Sequence, residues 1–143
     1  MNQNSRSAAT IIVAEDSPMQ ALNLRELLTQ AGLNVFWARN GLECLKLVDE
    51  TDPSLILLDL EMPEMNGLQT CQELKSKPET AKIPIIMFTR HDDPEFALLG
   101  YQTGAVDYIP KDAFANAVLL ETLEQLGLIS GKNGLQGSDE KAA

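Results

Sequence analysis

Leu55-Ile56-Leu57-Leu58-Asp59-Leu60-Glu61-Met62-Pro63-Glu64-Met65-Asn66-Gly67 is the stretch that decides how this chain folds. Four apolar residues in a row, with no polar alternation, read as a strand buried on both faces. The run stops at an acid, Asp59. Pro63 stiffens the loop that follows, and Gly67 permits a close approach of the chain before the next helix.

The pattern recurs on both sides. Residues 11–14 form an apolar run that stops at Glu15 and Asp16, and residues 85–88 form another that ends at Thr89. Residues 35–38 and 107–109 read as a second and a fifth strand. Amphipathic stretches lie between them. In the first, Asp16 or Ser17 can cap the helix, Pro18 suits its opening position, and Leu24, Leu27, Leu28 and Ala31 recur at helical spacing before Gly32. Residues 41–50 form a second helix with Leu42, Leu45 and Val48 on one face, and residues 67–77 a third with Leu68, Cys71 and Leu74. Residues 93–103 and 113–126 form the fourth and fifth, closed by Gly104 and Gly127. Five strands alternating with five helices specify an α/β fold, a doubly wound five-stranded parallel sheet with helices on both faces.

Length and charge bound the rest. The 143 residues make one domain, and a 44% apolar content is enough for a core. Residues 1–9 and 128–143 are polar or glycine-bearing and read as flexible segments around a domain at 10–127. Eleven basic against twenty-one acidic residues give a net charge of −10, which disfavours nucleic acid and anionic membrane surfaces as partners. No apolar run is long enough to span a bilayer and no secretory signal is visible, so the expected location is cytoplasmic. Cys44 and Cys71 are too few for a disulfide scaffold or a thiolate zinc site and read as core residues.

In an open parallel sheet, ligands sit at the carboxyl ends of the strands, where strand order reverses. The groups there are Glu15, Asp16, Asp59, Thr89 and Lys111. Two unit charges about 4 Å apart repel by roughly 4 kcal/mol at an effective dielectric near 20. Three converging carboxylates therefore call for a hard cation, and Mg²⁺ suits carboxylate, carbonyl and water oxygens. Each acid alone is an ordinary helix cap; three acids, a hydroxyl and a lysine at strand ends are a site. A carboxylate beside a divalent cation, a lysine and a hydroxyl can act as a nucleophile toward phosphorus, giving an acyl phosphate.

The chain resembles the receiver domain of bacterial two-component response regulators. The matching blocks run from Ile11 to Pro18, from Leu55 to Gly67, from Ile85 to Thr89 and from Gly104 to Lys111, in the family's order and spacing. The resemblance implies a flavodoxin-like receiver fold and a non-enzymatic phosphoprotein. It implies that Asp59 accepts a phosphoryl group from a phosphohistidine on a sensor histidine kinase or histidine phosphotransfer protein. It implies Mg²⁺ held by Asp16, Asp59 and the backbone carbonyl of Glu61, with Glu15 acting through water. Lys111 would pair with a phosphoryl oxygen and Thr89 would hydrogen-bond it. Tyr108 would turn inward as Thr89 moves, rearranging the face of the fourth helix, fifth strand and fifth helix for a downstream protein target or a dimer partner.

Two positions depart from the family pattern. The family places a proline after the lysine; here Pro110 precedes Lys111 and Asp112 follows, so Asp112 is a candidate cap for the last helix. The residue after Thr89 is usually small, but here Arg90 stands there, able to narrow access to Asp59 or to pair with Glu61. Arg90, Glu61 and His91 are expected at the rim, tuning the lifetime of the phosphoryl group. His91 reads as a rim residue rather than a relay donor, and Trp37 as packing. Of Leu119, Leu120, Leu123 and Leu126, most should be core. Residues 128–143 are too few for an output module, so a stand-alone receiver acting by protein contact is expected. Two rival readings are a receiver-like module that works without phosphorylation and a Mg²⁺-dependent phosphohydrolase with Asp59 as nucleophile and Glu61 as acid–base.

Overall fold

Every residue of β3 (Leu55–Leu58) and β4 (Ile85–Thr89) is buried. Successive side chains on a strand point to opposite faces, so a strand without polar positions needs cover on both sides. The computed structural model describes residues 8–131 and supplies that cover. β1 (Thr10–Ala14), β2 (Asn34–Ala38), β3, β4 and β5 (Asp107–Pro110) pair in parallel in the order β2-β1-β3-β4-β5. Around them lie α1 (Pro18–Gln30), α2 (Gly41–Thr51), α3 (Gly67–Lys75), α4 (Pro78–Ala81), α5 (Pro94–Thr103) and α6 (Ala115–Gln125).

Alternate residues of the strands feed two separate cores. Ile11, Val13, Leu55, Leu57, Ile86, Phe88 and Ile109 pack against Leu24 and Leu28 of α1 and Leu119 and Leu123 of α6. Ile12, Ala14, Ile56, Leu58, Ile85 and Met87 pack against Cys44 and Val48 of α2 and Cys71 and Leu74 of α3. A fully buried aliphatic side chain is worth about 1.5–3 kcal/mol, and cutting one such as Ile56 to alanine costs roughly 2–5 kcal/mol. Strand order reverses between β1 and β3. The carboxyl ends of these two central strands therefore lie side by side, with Asp59 N–H donating to the Ala14 carbonyl at 3.1 Å.

The α/β class and the five-stranded parallel sheet are as the sequence predicts, but the described residues form six helices, not five. The expected third helix stops at Lys75, and the separate four-residue α4 opens at Pro78. In α2 the buried positions are Gly41, Cys44 and Val48, while Leu42 is exposed. Val48 is in the core as expected and Leu45 packs partly buried against it; only Leu42 turns to solvent, because Gly41 and Cys44 take the close-packed side. β2 is an edge strand and leaves Phe36 exposed.

α1 is capped by the Ser17 hydroxyl, which accepts from Gln20 N–H at 3.3 Å, so Ser17 and not Asp16 is the cap. The last helix begins at Ala115, and Phe114 precedes it without a side-chain cap. Asp112 instead accepts from Phe114 N–H at 2.9 Å in a local turn. Pro110 closes β5, which is an edge strand and can spare a donor. Among the described residues every peptide bond is trans, the one after Lys111 included. Leu119 and Leu123 are buried, Leu120 is partly so, and Leu126 is exposed. Leu128 and Ile129, assigned above to a flexible tail, pack partly buried against the α1–α6 core. Residues 1–7 and 132–143, the rest of the two segments expected to be flexible, lie outside the described residues.

Candidate functional site

Glu15 follows β1 and Asp59 follows β3, so the strand reversal alone makes them neighbours. Both are buried, at 2% and 8% exposure, and Asp16 beside them is exposed. One carboxylate oxygen from each of the three lies within 4.8 Å of the others. Gly67 is what lets the loop close behind Asp59. A Cβ at position 67 would stand 2.2 Å from the Asp59 carbonyl oxygen, and Gly67 N–H donates to Leu60 O at 3.0 Å. Glu61 N–H donates to Asp59 Oδ1 at 3.3 Å, which turns the chain back over the carboxylate.

Lys111 reaches the acids from the far side. Its backbone N–H donates to Thr89 O at 2.7 Å, continuing the β4–β5 ladder by one residue and aiming the side chain at the strand ends. Its Nζ donates to Asp59 Oδ2 at 3.0 Å, to Glu15 Oε1 and to Gln20 Oε1. All three ammonium hydrogens are thus committed. The second Glu15 oxygen accepts from Ser17 N–H at 3.1 Å. Burial pushes the Glu15 carboxyl above its ordinary value; the Lys111 bond and charge pull it back, and Asp59 pushes it up again. One ammonium facing three carboxylates leaves the pocket short of positive charge, and oxygen donors of this kind suit Mg²⁺.

The remaining predicted residues line the same region. Thr89 is fully buried, and its hydroxyl accepts a long bond from His91 N–H at 3.4 Å. Tyr108, expected to turn inward, already lies inward at 8% exposure and donates its hydroxyl to the His91 carbonyl at 2.8 Å. Burial, with Asp93, Asp59 and Asp92 nearby, pushes its phenol up to about 12. Arg90 borders the cleft of about 260 Å³ over Asp59, together with Asp16, Gln20 and Glu61. The suggested Arg90–Glu61 pair is not formed. Glu61 pairs instead with His91 Nε2 at 2.8 Å, and the His91 ring packs on Phe96 with centroids 4.7 Å apart.

Sequence reasoning missed Gln20 altogether. A neutral side chain on the first turn of a helix carries no local signal, and only the fold brings it to Lys111. It also missed a polar contact of Trp37, whose indole N–H donates to the Glu15 carbonyl at 2.7 Å.

A doubly wound parallel sheet with acids gathered at its switch point, tied to a lysine just beyond the last strand, is the arrangement of a class of α/β proteins whose strand ends can hold a cation and a phosphoryl group. The model of the response regulator receiver domain family matches residues 11–124. Protein PilH of Pseudomonas aeruginosa is 34% identical over 103 residues, covering 72% of this chain and 85% of PilH. The solved receiver domain of a signal transduction histidine kinase from Syntrophus aciditrophicus is 36% identical, with a TM-score of 0.76, covering 83% of this chain and 89% of that one. The receiver domain of sensor histidine kinase PA1611 from Pseudomonas aeruginosa shares the fold at 23% identity and a TM-score of 0.75, covering 83% of this chain and 97% of that one; it was solved with a magnesium ion in its active-site cleft. Other curated relatives are longer, and the chain spans a quarter to a half of their length, including one named a probable cyclic di-GMP phosphodiesterase in Vibrio cholerae. The chain belongs to the response regulator receiver domain family. It is a receiver domain of two-component phosphorelay signalling, and its acidic cluster fits a phosphorylation and Mg²⁺ site.

Proposed function

We propose that Asp59 is the phosphoacceptor, with Mg²⁺ held by Asp16, Asp59 and the Glu61 backbone carbonyl, and by Glu15 through water. The observation that carries this reading is the gathering of Glu15, Asp16 and Asp59 within 4.8 Å with Lys111 Nζ on Asp59 Oδ2. Bound there, Mg²⁺ supplies charge neutralisation for phosphoryl oxygens.

An Asp59 carboxylate oxygen attacks the phosphorus of a phosphohistidine. The P–N bond breaks, and its electron pair returns to the imidazole, which leaves neutral with its other nitrogen protonated. Lys111 exchanges its Asp59 contact for a phosphoryl oxygen while Glu15 and Gln20 keep the ammonium in place. The Thr89 hydroxyl turns to the phosphoryl group, giving up its weak bond from His91 N–H. Because Tyr108 hangs from the His91 carbonyl, movement of this loop reaches β5. Arg90 borders the pocket, His91 reaches it through its pair with Glu61, and both tune the lifetime of the acyl phosphate.

Receiver domains are typically signalling modules rather than enzymes, and they exchange phosphoryl groups with histidine kinases or phosphotransfer proteins. We assign this chain the same role, with the donor in the cytoplasm. Its output is protein contact, or dimerisation, at the face of α5, β5 and α6, where Leu98, Tyr101, Val106 and Val118 are exposed. Among the described residues no helix is long and apolar enough to cross a membrane.

The test is incubation with a small-molecule phosphodonor and Mg²⁺. The expected result is a mass gain of one phosphoryl group, abolished in Asp59→Asn and by chelation. A mass gain that survives Asp59→Asn refutes the assignment, and turnover of a phosphate ester without stable labelling favours a hydrolase. Arg90→Ala with unchanged rates of labelling and loss removes Arg90 from the tuning role.

A further inference from the structure

β2 ends one bond too soon for β1. In a parallel ladder each residue donates its N–H to one neighbour and offers its C=O to a second, two positions further along the facing strand. Glu15 N–H donates to Ala38 O at 2.9 Å, so the ladder's next bond would run from Asn40 N–H to Glu15 O. The chain has turned away by then. Asn40 leaves the sheet to cap α2, its side chain accepting from Glu43 N–H at 2.9 Å. The Glu15 carbonyl is satisfied instead by the indole N–H of Trp37, at 2.7 Å.

We infer that Trp37 is a positioning residue for the acidic loop: its indole N–H takes the place of the missing ladder bond and holds the Glu15–Asp16 backbone in the register that turns both carboxylates toward Asp59. The inference rests on the cation reading above. Three observations support it. The bonded carbonyl belongs to Glu15 itself and begins the peptide that carries Asp16, both members of the acidic cluster. The indole is braced, with the Arg39 guanidinium 5.9 Å from its ring centre and Arg39 held by Glu43 at 3.5 Å. Beyond that carbonyl the Glu15 side chain is fixed at both oxygens, by Lys111 and by Ser17 N–H, so a slip of the backbone would pull the lysine contact with it. The hydrogen bonds of the Asp59 and Lys111 side chains do not involve Trp37, which acts through Glu15.

Trp37 is the sole tryptophan, which makes the test direct. Its indole gives one ¹H–¹⁵N resonance, which should exchange slowly with solvent and shift saturably as Mg²⁺ is added to the intact chain. Trp37→Phe keeps a ring and deletes the N–H. It should bind Mg²⁺ roughly two- to tenfold more weakly by calorimetry, the worth of one hydrogen bond. Replacing the indole with benzothiophene, by incorporating benzothienylalanine, keeps the shape and should weaken binding equally. A residue that merely packs would lower the melting temperature of the phenylalanine variant and leave the affinity, and the benzothiophene protein, unchanged; that result overturns the inference. An indole resonance unmoved by Mg²⁺ in wild type that binds the ion overturns it as well, even if neither variant folds. Absence of Mg²⁺ binding by the wild type overturns the cation reading itself and is recognisable as such.

Discussion

Gly67→Ala is the perturbation that separates geometry from chemistry at this site, because it removes no charge and no hydrogen bond. The new Cβ would stand 2.2 Å from the Asp59 carbonyl oxygen and 3.0 Å from the Asp59 carbonyl carbon and the Leu60 Cα. Ordinary contact begins at 3.4 Å, so something must yield by more than 1 Å. All three atoms are backbone. Asp59 is tied to β1 through Ala14 O, and Leu60 accepts from Gly67 itself and is 5% exposed, so neither side can swing clear as a flexible side chain would. Overpacking of this kind costs about 1–3 kcal/mol, and the absence of a soft neighbour puts it at the upper end. Alanine's better helix propensity returns at most about 1 kcal/mol, less at a first-turn position. The net expectation is a loss of about 2–3 kcal/mol, which lowers the urea midpoint by about 1–2 M for a typical slope. Phosphorylation should fall with it, since the displaced atoms carry the Asp59 side chain. Gly32→Ala is the control. Gly32 has φ +96° and nothing within 4 Å of a new Cβ, so the substitution should cost about 1–2 kcal/mol through the backbone alone and leave labelling of Asp59 unchanged. A Gly67→Ala protein with wild-type midpoint and labelling rate would refute the claim that this close approach sets the position of Asp59.

Glu15→Gln should stabilise the protein without Mg²⁺ at neutral pH, because burial raises the Glu15 carboxyl above its ordinary value near 4.5. The sign follows from linkage: the protonated group favours folding below the unfolded value, and that advantage is lost as pH rises through the higher folded value. Melting temperatures at pH 4 and pH 8 should therefore differ more in wild type than in Glu15→Gln, and equal pH responses would contradict this. Cys44 and Cys71 are fully buried, and burial pushes their thiols up to about 12 and about 11. Neither should react with a disulfide reagent at pH 8 until denaturant is added; fast labelling of the folded protein would show the core to be open. Lys75 Nζ donates to Ala81 O and Ile83 O at 2.7 Å each, so Lys75→Met should cost about 1–3 kcal/mol by leaving two carbonyls unpaired while Asp59 still labels. Urea denaturation and the phosphodonor assay read the two halves of that statement, and loss of labelling in a folded Lys75→Met protein would count against it.

What sequence could and could not reveal follows from the range of each interaction. The runs at 11–14, 55–58 and 85–88 announce doubly covered strands because burial is written into consecutive residues, and the acids at their ends inherit their placement from the strand order. α4 escapes notice because four residues have no periodicity, and Lys77–Pro78 marks its start as readily as it would mark a turn. Leu42 misleads because an apolar residue at helical spacing is an ordinary surface residue when Gly41 and Cys44 take the close-packed side. Gln20 and Trp37 are further out of reach. Each meets the site through a bond that exists only once the sheet is assembled: Gln20 across 91 residues to Lys111, Trp37 across 22 to the Glu15 carbonyl.

The same distinction explains where control over this site must lie. The acids, Thr89 and Lys111 are placed by strand ends, which a closely packed sheet holds, so their spacing yields only to changes that press on those ends, as Gly67→Ala does on Asp59 and Trp37→Phe on Glu15. The contacts around them come from a helix first turn, a loop and the edge strand: Gln20 on Lys111, His91 on Glu61, Tyr108 on the His91 carbonyl. The first two can change without disturbing either core, whereas Tyr108 is itself part of the core beneath α2 and α3 and carries any change of its bond inward. Each joins a residue of the pocket to a different element, α1, the loop after β4, and β5. A shift of the Thr89–His91 segment is felt at Tyr108 through a single 2.8 Å bond, whereas a shift of Asp59 would have to break the ladder between β1 and β3. On the proposed reading, in which Asp59 gains a phosphoryl group, the path free to move is therefore the one toward β5 and the exposed face of α5 and α6, and the one toward β1 is held by the ladder.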